Sequence, residues 1–247
     1  MLKRKTSREI TQLINEADHF YACLNRPVKA LKKIERVLDF SPNHVEALII
    51  KGRILFQLDR LSSAMECFNK AILIDPKCAE GYIERARYLY GIKQENKKAL
   101  LEVRKALRYA GRGRWVKVYA LSLQGDILSS LDRDKEALAS YQAALKINPK
   151  DEDTLSSLGS TLLGMEQPAK ALPYLDKALR ELRKERYPDP AILELAFEEK
   201  VEALNALAKH KEALKVCEEG LGMLKGGHRS DLRALYNKTK ELLEKRS

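Results

Sequence analysis

The chain has 247 residues and a formal net charge of +11, from 46 Lys and Arg against 35 Asp and Glu. Hydrophobic residues make up 45% and aromatic residues 6%, with only 12 Gly and 8 Pro, a balance that fills an interior and suits helices better than an all-β fold. No stretch approaches the ~18 consecutive apolar residues of a membrane span, and the basic N-terminus MLKRKTSREITQL lacks the apolar core of a signal peptide, so no transmembrane segment is expected.

In chain order, small residues recur at Gly52, Ala86, Gly125 and Gly159. A second series runs Ala30, Ala64, Ala99, Ala137, Ala171 and Ala213, and a third follows seven residues behind it: Val37, Ala71, Ala106, Ala144, Ala178 and Gly220. Pro42, Pro76 and Pro149 close three of the units so defined. A period near 34 residues marks a stacked architecture in which each unit touches its neighbours and the core grows by addition. Within Val45 to Pro76, Leu48, Gly52, Leu55 and Leu58 form one helical stripe, Asp59-Arg60 interrupts it, and Ala64, Phe68, Ala71 and Ile72 form a second. The unit is a helix pair, and Gly52 is expected to face Ala64 and Ala71 where the helices approach.

Leu48, Gly52, Leu55, Ala64, Phe68, Ala71 and Pro76 resemble the tetratricopeptide-repeat (TPR) pattern, with Leu48 in place of the signature Trp and Lys51 where a Leu is usual. Leu121, Gly125, Leu128, Ala137, Tyr141, Ala144 and Pro149 repeat it, as do Leu155, Leu158, Gly159, Leu162, Ala171, Leu175 and Ala178. The resemblance implies an all-α, right-handed superhelical solenoid of antiparallel helix pairs. Its units are expected at 11–44, 45–78, 79–113, 118–151, 152–187 and 194–225. Gly226-Gly227 should break the chain before a capping helix over 228–246. The fifth unit's second helix is expected to run on through Glu181–Arg186 to Pro188 and Pro190, with at most a mild kink at Pro173.

The resemblance also implies that the first helix of each unit lines a concave groove. Ile49, Arg53 and Phe56 are then repeated 34 residues later as Ile83, Arg87 and Tyr90, followed by Tyr119, Ser122 and Asp126. Paired guanidinium forks beside apolar and aromatic side chains suit an acidic-hydrophobic segment of a partner protein. The alternative is that Arg53 and Arg87 pair with Glu46, Glu80 or Glu84 and hold the groove together. The clamp by which some TPR proteins hold acidic chaperone tails is not expected, because its positions carry Asn15, His19, Ile50, Glu80 and Glu84.

Residues 103–125 hold six bases (Arg104, Lys105, Arg108, Arg112, Arg114, Lys117), no acid, and Tyr109, Trp115 and Tyr119. Bases with interleaved aromatics make RNA or an anionic surface the alternative partner. The favoured reading is an elongated joint with solvated charges and Trp115 packed inward. Self-association into a homo-oligomer is the third reading.

Catalysis is not expected: there is no P-loop, GxSxG, HExxH or GxGxxG. Glu194, Glu198, Glu199 and Glu202 lie at helical spacing without a nearby His and read as a solvated or partner-facing row. Cys23, Cys67, Cys78 and Cys217 form no CxxC pair and have no ligand spacing with His19, His44, His210 or His228. They read as reduced thiols of a cytoplasmic protein, with no metal or cofactor. The predicted function is a protein-binding scaffold or adaptor.

Overall fold

A computed structural model describes residues 7–184, 190–224 and 230–245, and the side chains of Ala22 and Cys23 are outside that description. Among the described residues every regular element is helical. The chain divides into two compact units, Met1–Ala120 and Leu121–Ser247.

The first unit begins with α1 (Ser7–Asp18), which continues into a π-helical turn (His19–Cys23), and α2 (Pro27–Phe40). Next come α3 (Val45–Gln57) with α4 (Leu61–Ile74), α5 (Ala79–Gly91) with α6 (Asn96–Tyr109), and the start of α7 (Arg114–Ser129). Pro27 occupies the first turn of α2, where a missing N–H forfeits nothing. His44 caps α3 by accepting the Ala47 N–H. The core runs from Leu13, Ile14 and Ala17 through Ala30, Ile34 and Val37 to Ala64, Phe68 and Ala71, all of them buried.

The second unit contains the remainder of α7, then α8 (Asp134–Ile147), α9 (Glu152–Gly164), α10 (Pro168–Leu182), α11 (Pro190–Ala206), α12 (His210–Met223) and α13 (Ser230–Glu244). Asp151 caps α9 through the Thr154 N–H. Helix α10 passes Pro173 without interruption. The final helix packs on α11 and α12 with Leu232 fully buried, and Thr239 accepts from the Asn205 amide at 2.7 Å beneath it. Most of its other side chains face solvent, as a covering helix requires.

Each helix pair turns in the same way. Asn25, Asp59, Gln94, Asp132, Glu166 and Ala208 all have left-handed backbone, with φ of 44°, 58°, 54°, 58°, 58° and 59°. Each stands five residues before a member of the alanine series (Ala30 to Ala213). In four of the turns the next N–H bonds back five residues, as Arg60 does to Leu55 (2.9 Å). In the first and third it reaches back six, Arg26 to Phe20 and Glu95 to Leu89 (both 2.8 Å), which absorbs an extra residue.

Four expectations are corrected. Gly52 does not face Ala64 and Ala71: a Cβ there would lie 2.3 Å from the Phe68 ring, which sits between those alanines on the same stripe. Gly125 meets Tyr141 (2.3 Å) and Gly159 meets Leu175 (2.4 Å) in the same way. The glycine thus makes room for one large side chain of the facing helix. Second, α10 ends at Leu182 instead of running on to 186; residues 185–189, with Pro188, lie outside the described residues. Third, the long spacing after the third unit is not an elongated joint. The turn is short, and α7 begins at Arg114, one helical turn before the expected 118. Likewise α11 begins at Pro190 instead of 194, and the last helix spans 230–244. Gly226-Gly227 lies outside the described residues. Fourth, Trp115 does not pack inward: it is 57% exposed.

Candidate partner-binding site

In the first unit Arg53 and Arg87 converge on Glu84, one of the three carboxylates within reach by spacing. Glu84, 3% exposed in α5, accepts from Arg53 Nε through Oε1 at 2.6 Å and from Arg87 Nη1 through Oε2 at 2.9 Å. Two neighbouring helices are thereby tied by one buried carboxylate, while Glu46 and Glu80 take no part. The guanidiniums sit on aromatic faces: Arg87 lies 5.6 Å from the Phe56 ring centroid and Arg53 lies 5.6 Å from that of Trp115. Trp115 stacks on Tyr119, one turn further along α7, at 5.6 Å and 2° between planes.

Two positive charges around one negative leave the triad with a net charge of +1. Burial works against the charged form of Arg87, and Glu84 together with the Tyr119 and Tyr21 phenols more than offsets it, so its pKa is raised. Burial and then the field of Glu84 raise the Tyr21 phenol. Arg53 Nη2 is buried without a hydrogen-bond partner among the described residues. Ile83 is fully buried and Ile49 nearly so, so these two pack the wall while Arg, Phe56 and Tyr90 reach its surface.

Beside the triad opens a cleft of about 530 Å³. Val45, Ile49, Ile50 and Val116 supply apolar lining, Arg53 and Trp115 stand in one wall, and Asp18, Glu46, Asp75 and Glu80 line the remainder together with Lys77. Trp115 belongs to this cleft because α7 starts a turn early. Had the helix been begun at 114 in the sequence, Trp115 would have fallen one turn before Tyr119 on the predicted groove face.

Ser122 and Asp126 lie in the second unit. Ser122 is buried. Asp126 accepts from the Tyr141 hydroxyl at 2.8 Å, and burial raises its pKa against that bond and one from Ser157. Glu199, also buried, accepts from Ser156 and Ser160. Glu198 is pushed up to about 7 by burial and by Glu194, Asp231, Glu202 and Glu199.

The basic stretch is spread out and partly neutralised. Arg104, Lys105, Arg108, Arg112 and Arg114 are exposed and Lys117 half-buried. Glu102, one residue upstream, pairs with Lys105 (2.8 Å) and Arg85 (3.3 Å). Its aromatics serve elsewhere, Tyr109 against Tyr82 and Trp115 against Tyr119 and Arg53. Among the described residues no cluster of His, Cys, Asp and Glu could hold a metal, and no helix is long and apolar enough to cross a membrane.

Residues 45–78 match the family described as tetratricopeptide repeat, and residues 125–165 that described as TPR repeat. The chain is a tetratricopeptide-repeat protein. The fold of this TPR protein is shared by several solved structures. They include PilW, a type IV pilus biogenesis factor (TM-score 0.75, 16% identity, 91% of this chain and 98% of that one), and TTC0263, a TPR protein of Thermus thermophilus (TM-score 0.63, 23% identity, 81% and 99%). YrrB, described as a TPR protein with an unusual peptide-binding site, aligns with TM-score 0.56 at 19% identity over 84% of this chain and 97% of that one. In sequence the TPR chain is 31% identical over 131 residues to the STIP1 homolog of Dictyostelium discoideum, covering 52% of this chain and 22% of that protein. It is 25% identical over 165 residues to the DnaJ homolog subfamily C member 7 homolog of Schizosaccharomyces pombe, covering 64% and 29%. The chain spans less than a third of the length of either curated relative.

Proposed function

We propose that the protein is a non-catalytic cytoplasmic scaffold, a single array of six TPR units with a capping helix, that holds a segment of another protein against the first helices of its units. The observation that carries this reading is the Arg53–Glu84–Arg87 triad with its aromatic platforms. It is a net-positive wall whose two guanidiniums are held by one buried carboxylate. Donors held in place by a buried pivot lose little freedom when an acceptor arrives. The occupant presents carboxylate or carbonyl oxygens to Arg53 and Arg87 and apolar side chains to Phe56, Tyr90 and Trp115, which is the acidic-hydrophobic segment expected from the sequence. Resemblance to a TPR protein with a peptide-binding site supports the mode of use. The free thiols of Cys67, Cys78 and Cys217 support a reducing compartment.

The test is capture of partners from native lysate at moderate salt. Arg53→Ala/Arg87→Ala is a poor probe, because it strands Glu84 as a buried charge. Arg53→Gln/Glu84→Gln/Arg87→Gln removes the charges together. One protein retained by wild type and lost in that triple variant supports the reading. Capture that depends on nucleic acid and ignores the triad would move the function to the basic stretch around Arg112 and Arg114.

A further inference from the structure

We infer that the cleft walled by Trp115 and Arg53 receives a basic side chain, Lys or Arg, of the bound protein segment. The inference rests on the groove reading above and adds the residue chemistry of one subsite. Residues 1–120 contain 25 Lys and Arg against 13 Asp and Glu. Among the charged residues lining this cleft the ratio is reversed: Asp18, Glu46, Asp75 and Glu80 against Arg53 and Lys77. Arg53 pairs with Glu84 at 2.6 Å, which balances part of its charge within the triad.

The carboxylates come from three helices and one helix end: Asp18 closes α1, Glu46 and Glu80 stand in the first turns of α3 and α5, and Asp75 caps the end of α4. Asp75 accepts the Lys77 N–H, which fixes its direction. Asp18, Glu46 and Glu80 form no ion pair among the described residues. Other acids of this unit do: Glu16 with Lys33, Glu35 with Lys51, Glu95 with Lys98 and Glu102 with Lys105.

The rest of the cleft suits a long amphipathic cation. Lys and Arg carry apolar stems that pack on apolar walls while the head stays polar, and Val45, Ile49, Ile50 and Val116 supply such walls. Trp115 is 57% exposed at this cleft, and an indole face is the best aromatic partner for a cation. The segment that fits is therefore of mixed charge, acceptors on the triad and a cation in the cleft.

Trp115 is the only tryptophan, so its emission reports on the subsite directly. The experiment titrates the whole chain with three acetylated, amidated heptapeptides that alternate leucine with lysine, glutamine or glutamate. A protein of net charge +11 attracts the glutamate peptide non-specifically, so a preference for lysine would run against the overall field. The expected result is binding of the lysine peptide at least tenfold tighter than the glutamine peptide. That preference should shrink to threefold or less in Glu46→Gln/Glu80→Gln, whose folding is checked by circular dichroism. A lysine preference that survives this variant, or no response of Trp115 to the lysine peptide, overturns the inference. Tighter binding of the glutamate peptide, lost in the triple glutamine variant of the triad, overturns the inference and leaves the groove reading standing. Loss of the groove reading shows separately, as lysate capture indifferent to the triad.

Discussion

Gly52→Ala should destabilise the first unit although alanine is the better helix former. The added Cβ would stand 2.3, 2.8 and 2.8 Å from three carbons of the Phe68 ring, where ordinary contact begins near 3.4 Å. The ring must retreat by about 1 Å, yet it is fully buried between Ala64 and Ala71. Overpacking of this kind costs about 1–3 kcal/mol, and an enclosed ring belongs in the upper half of that range. Alanine recovers about 1 kcal/mol of helix propensity, which leaves a net loss of about 1–2 kcal/mol. The third unit shows the compensation: Ala86 replaces the glycine and Val103 replaces the aromatic, both fully buried. Phe68→Val alone should cost about 2–4 kcal/mol through its cavity. The double variant should be more stable than the sum of the two losses predicts, by about 1–2 kcal/mol. Urea unfolding of the four proteins measures the cycle. A neutral or stabilising Gly52→Ala, or strict additivity, would refute the packing argument.

Three further outcomes follow from the same geometry. Arg53→Ala/Arg87→Ala should lower stability by about 3–5 kcal/mol, because Glu84 is left buried and unpaired; in urea unfolding the triple glutamine variant should lose clearly less, and equal losses would show that Glu84 is not the pivot. Glu198, at about 7, has a folded pKa above its ordinary value, so the folded state holds the extra proton between about pH 4.5 and 7. Stability of the second unit should therefore fall as pH rises through that window, with Glu199 and Asp126 shifted in the same direction. Glu198→Gln should flatten the profile, and an unchanged slope would contradict the assignment. Ala208→Gly should raise the melting temperature, since a left-handed alanine costs about 1–2 kcal/mol and the added unfolded-state freedom of glycine offsets only part of this.

The helix pairs were legible because the packing that makes them is periodic: the alanine series sits where helices touch, and it repeats whatever the surface does. The paired Ile/Arg/aromatic triplets were legible for the same reason, since a 34-residue repeat puts equal positions side by side. What escaped was set by neighbours. Asp59-Arg60 marks a turn in the sequence, but Gln94, Glu166 and Ala208 take the same left-handed conformation with no residue that favours it. Gly52 was assigned to small partners, and the structure gives it the ring of Phe68, because a missing side chain accommodates a large one as readily as it admits a backbone. Arg53 and Arg87 had three carboxylates within reach by spacing, and only the burial of Glu84 selects among them. The exposure of Trp115 escaped because the segment around Gly111 and Gly113 reads as an elongated joint with the indole packed inward, where α7 already begins at Arg114.

The most direct measurement of the central claim is acrylamide quenching of Trp115 emission with and without a captured partner segment. A segment held against the first helices of the first unit must cover this 57% exposed indole. The account predicts that the partner lowers the quenching constant at least twofold, and that the triple glutamine variant of the triad shows no such protection. A partner that binds tightly while Trp115 remains as accessible as before would place recognition elsewhere on the chain and contradict the account.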